Sequence, residues 1–115
     1  MPDSTDSPRL LILCRDLLFA SKITATAQAQ GVAFKVIRDP AKLIGESGRR
    51  LILDVSQDGA IDAAVAWKGA TGGETIGFIS HVDAEGIAKA RSAGIDQVLT
   101  RGQFTTQISS LIVGS

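Results

Sequence analysis

The order of apolar runs and helical stretches predicts an α/β fold, a three-layer αβα sandwich with a five-stranded parallel sheet between helices. Leu10–Cys14 (LLILC) is a continuous apolar run without the alternation of a half-exposed strand, as expected for a strand buried on both faces. Apolar runs alternate along the chain with alanine-rich helical stretches, which calls for parallel pairing and right-handed crossovers. The 115 residues suffice for one core but not two.

Each element follows from local chemistry. After the first run, Asp16 can cap a helix in which Phe19, Ile23 and Ala27 recur every four residues; Gly31 follows where a left-handed residue would end it. Val32–Ile37 (VAFKVI) reads as a second strand, and Lys35 as its polar interruption suits a sheet edge. Asp39-Pro40 fits a cap and a first-turn proline, opening a short second helix to about Ile44, with Gly45 and Gly48 beyond it. Arg50–Val55 (RLILDV) is the third strand, Ile61–Lys68 a third helix and Gly69–Gly73 a flexible loop. Thr75–Ser80 is the fourth strand, and Asp83 caps a fourth helix ending near Ala93-Gly94. Asp96–Thr100 is the fifth strand and Phe104–Val113 the last helix. Residues 1–8 read as a disordered tail, and 9–113 as a single domain.

Composition excludes several function classes. Twelve basic residues balance twelve acidic ones, leaving no electrostatic footprint for nucleic acid or an anionic membrane. The longest apolar runs are too short to span a bilayer, and the polar start lacks the features of a signal peptide. A cytoplasmic domain is the expectation. Cys14 has no disulfide partner within the chain, and no Cys/His cluster has zinc spacing. Neither a metal site nor a cofactor is therefore expected.

Sheets of this kind collect ligands and chemistry at the carboxyl ends of their strands. The predicted topology brings Cys14, Arg15, Asp16, Asp54, Ser80, His81 and Arg101 to that edge. The tail SHVDAEGIAKARSAGIDQVLTRGQF (80–104) supplies a hydroxyl residue, a loop, a helix ending in Ala-Gly and a strand running into a basic residue and Phe. In this layout the chain resembles the receiver domains of response regulators (the CheY-like family) from about Leu10 to Ile112. The resemblance implies a flavodoxin-like sheet of order 2-1-3-4-5 with five helices, in two-component signal transduction. In working receivers it implies two acids holding Mg²⁺, a phosphoaccepting Asp, a hydroxyl residue and a Lys, because phosphoryl transfer depends on positioning and charge neutralisation.

Carried over residue by residue, the match is uneven. Asp54 takes the phosphoacceptor position and Ser80 the hydroxyl position, with His81 beside it. Arg101 replaces the Lys and Gly102 the Pro after it. Cys14 and Arg15 stand where the acidic pair is expected, leaving Asp16 just beyond it, and Val98 stands where an aromatic switch residue is often found. Two unit charges ~4 Å apart interact by about 4 kcal/mol at an effective dielectric of about 20. A permanently charged Arg15 would oppose Mg²⁺ and favour an ion pair with Asp54; Arg15 or Arg101 is thus expected to neutralise the edge in place of a metal. The expectation is a degenerate receiver, not an enzyme, acting through a protein partner of unstated identity, with a homodimer through the last two helices and last strand as one form of that interaction. The uncharged face of Thr105, Thr106, Gln107, Ser109 and Ser110 suits such a surface.

Alternatives stand beside this reading. One is true phosphorylation of Asp54. Another rests on LILDVSQDGAID (51–62), which resembles the central motif of anti-sigma-factor antagonists (STAS-like domains), although Ala63 stands where that family carries its phosphorylated Ser. A small-ligand carrier is allowed by the fold but supported by no motif. A haloacid-dehalogenase nucleophile would need Asp at position 56, where Ser56 stands. Asp54 could equally be a strand-end carboxylate, Ser80 a loop hydroxyl, His81 part of an Asp83-capped loop, Cys14 a core-edge hydrophobe and Trp67 a packing residue.

Overall fold

The computed structural model describes residues 10–79 and 83–113. The expected tail at 1–8, and Ser80 and His81, lie outside the described residues. Strands β1 (Leu10–Leu13), β2 (Phe34–Ile37), β3 (Arg50–Asp54), β4 (Glu74–Ile79) and β5 (Gln97–Thr100) form one parallel sheet in the order β2-β1-β3-β4-β5. Helices α1 (Leu17–Ala29), α2 (Ala60–Thr71), α3 (Ala84–Ala93) and α4 (Arg101–Val113) cover it.

The central strands β1, β3 and β4 are mostly apolar and buried because both faces are covered, and their two-residue period divides the core. Leu10, Ile12 and Cys14 pack with Ile52, Ile76 and Phe78 against Phe19 and Ile23 of α1 and Phe104 of α4. Leu11, Leu13, Leu51 and Leu53 pack on the opposite face with Ala64 and Trp67 of α2 and Ala90 of α3. Trp67 is fully buried, and its Nε1 donates to the Glu46 carbonyl at 3.0 Å, so it is a packing residue. Asp16 and Asp83 cap α1 and α3 as expected, and Gly31 takes a left-handed φ of 70° just after α1.

Three expectations are corrected. The second helix is only a 3-10 turn, Pro40–Lys42: Asp39 caps it, but Gly45, at φ 91°, turns the chain before a second turn can form, so α-helices number four among the described residues. The segment from Gly69 is not a loop, because α2 continues to Thr71, whose hydroxyl donates to the Trp67 carbonyl at 2.9 Å. That helix ends at Gly72, where φ of 73° suits a residue without Cβ. Finally, α4 starts at Arg101 rather than Phe104. The Thr100 hydroxyl accepts from the Gln103 backbone N–H at 3.1 Å while the Gln103 side-chain Oε1 accepts from the Thr100 backbone N–H at 3.0 Å. This reciprocal cap, T-x-x-Q in sequence, makes Arg101 the first helical residue.

Candidate functional site

Parallel register aligns the strand ends: Leu13 pairs with Ile37 and with Leu53, Asp54 with Phe78, and Ile79 with Thr100. Cys14, Asp16, Asp54 and Arg101 therefore emerge along one edge. Asp54, the last residue of β3, is 8% exposed. Its Oδ1 accepts from the Ser56 backbone N–H at 3.0 Å and the Ser56 hydroxyl at 2.6 Å, a local turn that fixes the carboxylate. Its Oδ2 lies 3.7 Å from the Arg101 guanidinium, an ion pair longer than a hydrogen bond.

Arg101 is held on three sides. It donates to Asp16 Oδ2 at 3.2 Å, faces Asp54, and lays its guanidinium 4.7 Å from the ring centroid of Phe19 and 5.5 Å from that of Phe78. Those rings and Phe104 form one cluster, with centroids 4.6 to 5.8 Å apart. A planar cation above aromatic faces gains both cation–π attraction and dispersion, which an ammonium would reproduce less well. Asp16 meanwhile accepts from the Leu18 and Phe19 N–H groups through Oδ1 as the cap of α1. Those backbone bonds, led by Phe19, and the Arg101 guanidinium hold its carboxyl below the usual range despite some desolvation.

The cation of this edge is thus Arg101. Arg15 is exposed and has no carboxylate within ion-pair distance among the described residues; it turns instead toward a groove with Arg38 and Lys42. The expectation that Arg15 could pair with Asp54 is corrected: Asp16 caps α1 and Arg101 occupies the space beside Asp54. Cys14 is fully buried, its Sγ donating to the Asp16 carbonyl at 3.5 Å, and burial pushes the thiol pKa up. Val98, within β5, is buried on the α2–α3 side of the sheet.

The residues present do not fit a divalent cation. Hard cations need several oxygen ligands around one point. Asp54 gives one oxygen to Ser56 and turns the other toward a guanidinium, while Asp16 is divided between a helix cap and the same guanidinium. No cluster of three His, Cys, Asp or Glu side chains suitable for a metal occurs among the described residues.

Two contributors were missed by sequence reasoning. Ser56 had a legible signal, since Asp-x-Ser at a strand end favours a side-chain turn. The aromatic platform had none, because Phe19, Phe78 and Phe104 come from three elements far apart in the chain.

No family model and no curated protein matches the sequence. Solved structures do. The BeF3-activated DrrB receiver domain superposes with a TM-score of 0.79 at 16% identity, covering 93% of this chain and 95% of that one. The Francisella response regulator 1452 receiver domain gives 0.76 at 16%, covering 93% and 94%. The phosphorylated cyanobacterial phytochrome response regulator RcpA gives 0.76 at 8%, covering 94% and 95%. The chain spans 53% of the longer Thermotoga maritima DrrB structure. At these identities the likeness establishes the fold: a CheY-like receiver fold. No helix among the described residues is long and apolar enough to cross a membrane.

Proposed function

We propose that this chain is a receiver-like signalling module that acts by binding protein, catalyses no reaction, and is not phosphorylated in the Mg²⁺-dependent manner. The observation that carries the reading is the Arg101 clamp between Asp16 and Asp54. A guanidinium that cannot lose its proton faces both carboxylates, offsetting one of their two negative charges, and stands where a metal would compete for the same oxygens. Asp54 then serves as one arm of a fixed ion-paired edge, and α1 and α4, neighbours on one face of the sheet, are joined by the Arg101–Asp16 bond.

Incubation with acetyl phosphate and Mg²⁺, followed by intact-mass measurement, tests it. The expected outcome is an unchanged mass. Stoichiometric phosphate addition that disappears in Asp54→Asn would establish the phosphoaccepting regulator instead. The anti-sigma-factor-antagonist alternative gains no support from Asp62, which lies exposed in the first turn of α2. Self-association through α3, β5 and α4 belongs to the same reading, resting on the uncharged exposed face of α4. The Thr105, Thr106 and Ser110 hydroxyls donate to carbonyls of their own helix, leaving that face lightly polar. Sedimentation velocity would reveal a concentration-dependent dimer, and a monomer at all concentrations would remove this part.

A further inference from the structure

The groove that receives Arg15 lies beside the clamp but is distinct from it. It is open, about 620 Å³, and lies over the carboxyl ends of β1, β2 and β3. Arg15, Arg38 and Lys42 line it, together with Asp39, Gln57 and Asp58. Among the described residues, none of the three cations has a carboxylate within ion-pair distance. Lys22, Arg49, Lys89 and Arg91 likewise have none, while Lys35, Arg50, Lys68 and Arg101 are paired; what sets the groove apart is that three such cations share one lining. Of the two acids on the rim, Asp39 is engaged with the Ala41 N–H at 3.0 Å as the cap of the 3-10 turn. The groove floor is fixed from the opposite side, where Gln57 Nε2 donates to the Arg38 carbonyl at 2.8 Å.

The exposed apolar residues fall close in sequence to these cations, although they do not line the groove itself. Among the described residues four large hydrophobic side chains are exposed, and three of them follow a groove cation within three positions: Leu17 (58%) and Leu18 (83%) after Arg15, and Ile44 (62%) after Lys42. Apolar side chains left in water beside unpaired cations indicate an interaction surface, whereas pockets for small molecules are more enclosed and more apolar than this groove. Arginines can also anchor an interface through charge, hydrogen bonds and their flat apolar faces.

We propose that the Arg15–Arg38–Lys42 groove, extended by the exposed Leu17, Leu18 and Ile44 that follow its cations in sequence, docks a partner protein through a segment that mixes acidic and apolar residues. This deepens the protein-binding reading above by naming the chemistry of the partner, and it is independent of whether Asp54 accepts phosphate. Rim charges of this kind steer encounter and set salt dependence, while the apolar side chains supply contact that survives salt.

The test uses the full chain and a fluorescent peptide alternating glutamate and leucine, with a lysine–leucine peptide as its counterpart, followed by anisotropy. The glutamate peptide is expected to bind at least about tenfold more tightly than the lysine peptide, and to lose that advantage in the combined variant R15E/R38E/K42E. Leu18→Ser is expected to weaken binding while leaving its salt dependence in place. Because all these positions are on the surface, circular dichroism of the variants should match the parent. Equal binding of the two peptides, or binding indifferent to the charge reversals, would overturn the proposal. So would chemical-shift changes on adding the glutamate peptide that map to α4 rather than the groove. A second copy of the chain as occupant would appear as self-association lost in the charge-reversal variant, and would also overturn it. Failure of these arms with Asp54 unphosphorylated would leave the signalling reading standing; phosphorylation with the groove intact would do the reverse.

Discussion

The two ends of the sheet solve the same problem differently. Each places a carboxylate beside a cation where strands terminate. At the amino end, Asp96 accepts from the Thr75 N–H at 2.8 Å, the Thr75 hydroxyl at 3.0 Å and Lys68, while its own N–H donates back to Thr75 at 3.0 Å. Arg50 adds a bond to Glu74 at 2.7 Å and one to the Leu111 carbonyl, tying α4 to that end. Every contact there is a hydrogen bond that joins elements. At the carboxyl end, Asp54 is fixed locally by Ser56, yet Arg101 stays 3.7 Å from its free oxygen and is partly open to solvent. One end is closely hydrogen-bonded and structural, whereas the other sets one cation between two carboxylates without saturating their acceptors. In the proposed protein-binding role, the acceptors left unsaturated at the carboxyl end are the ones open to a partner.

The comparison can be broken most severely from below. Phe78→Ala removes the central ring of the cluster under Arg101, and a loss of about 3–5 kcal/mol is expected from urea unfolding. A smaller effect is expected at the amino end: Thr75→Val leaves the Asp96 N–H without its acceptor and should cost about 1–3 kcal/mol. Smaller still, Arg101→Met should change stability by only about 0–1 kcal/mol, because its pair with Asp16 is partly exposed and screened. Its 3.7 Å contact with Asp54 is also longer than a hydrogen bond, and Ser56 still holds that carboxylate. If Arg101→Met proved as costly as Thr75→Val, the two ends would be equally structural and the contrast would fail.

Acid should act on both ends in the same direction. Asp16 is held below its ordinary pKa of 3.8, chiefly by the Phe19 N–H. Burial opposes the ionisation of Asp96, but the bonds from Lys68 and Thr75 outweigh it and hold that carboxyl low as well. Folded-state values below the unfolded value mean that each group stabilises the protein above about pH 3.8, and that this contribution is lost as pH falls through the folded value. Unfolding midpoints should therefore drop in acid, and Asp16→Asn should flatten part of that dependence without altering the part due to Asp96.

Much of this was legible in the order of residues. The continuous apolar strands, Asp16, Asp39 and Asp83 as caps, and the spacing of Asp54 and Arg101 specify a doubly wound parallel sheet with its acidic and basic residues at one edge. Those signals are local or periodic, so a single chain displays them. The extent of α2 and the start of α4 were also local, but their signals were weaker than the glycines at 69, 72 and 102 that argued against helix. Which arginine meets Asp54 was of another kind. Arg15 is close to Asp16 in sequence but turns to the groove, whereas Arg101 arrives from the far end of the chain because β5 lies beside β4 and Phe19 and Phe78 give its guanidinium a surface to rest on. Sequence alone thus determined the architecture and the candidates. Only tertiary packing chose among them, because the choice depends on charges and rings brought together from residues more than eighty positions apart.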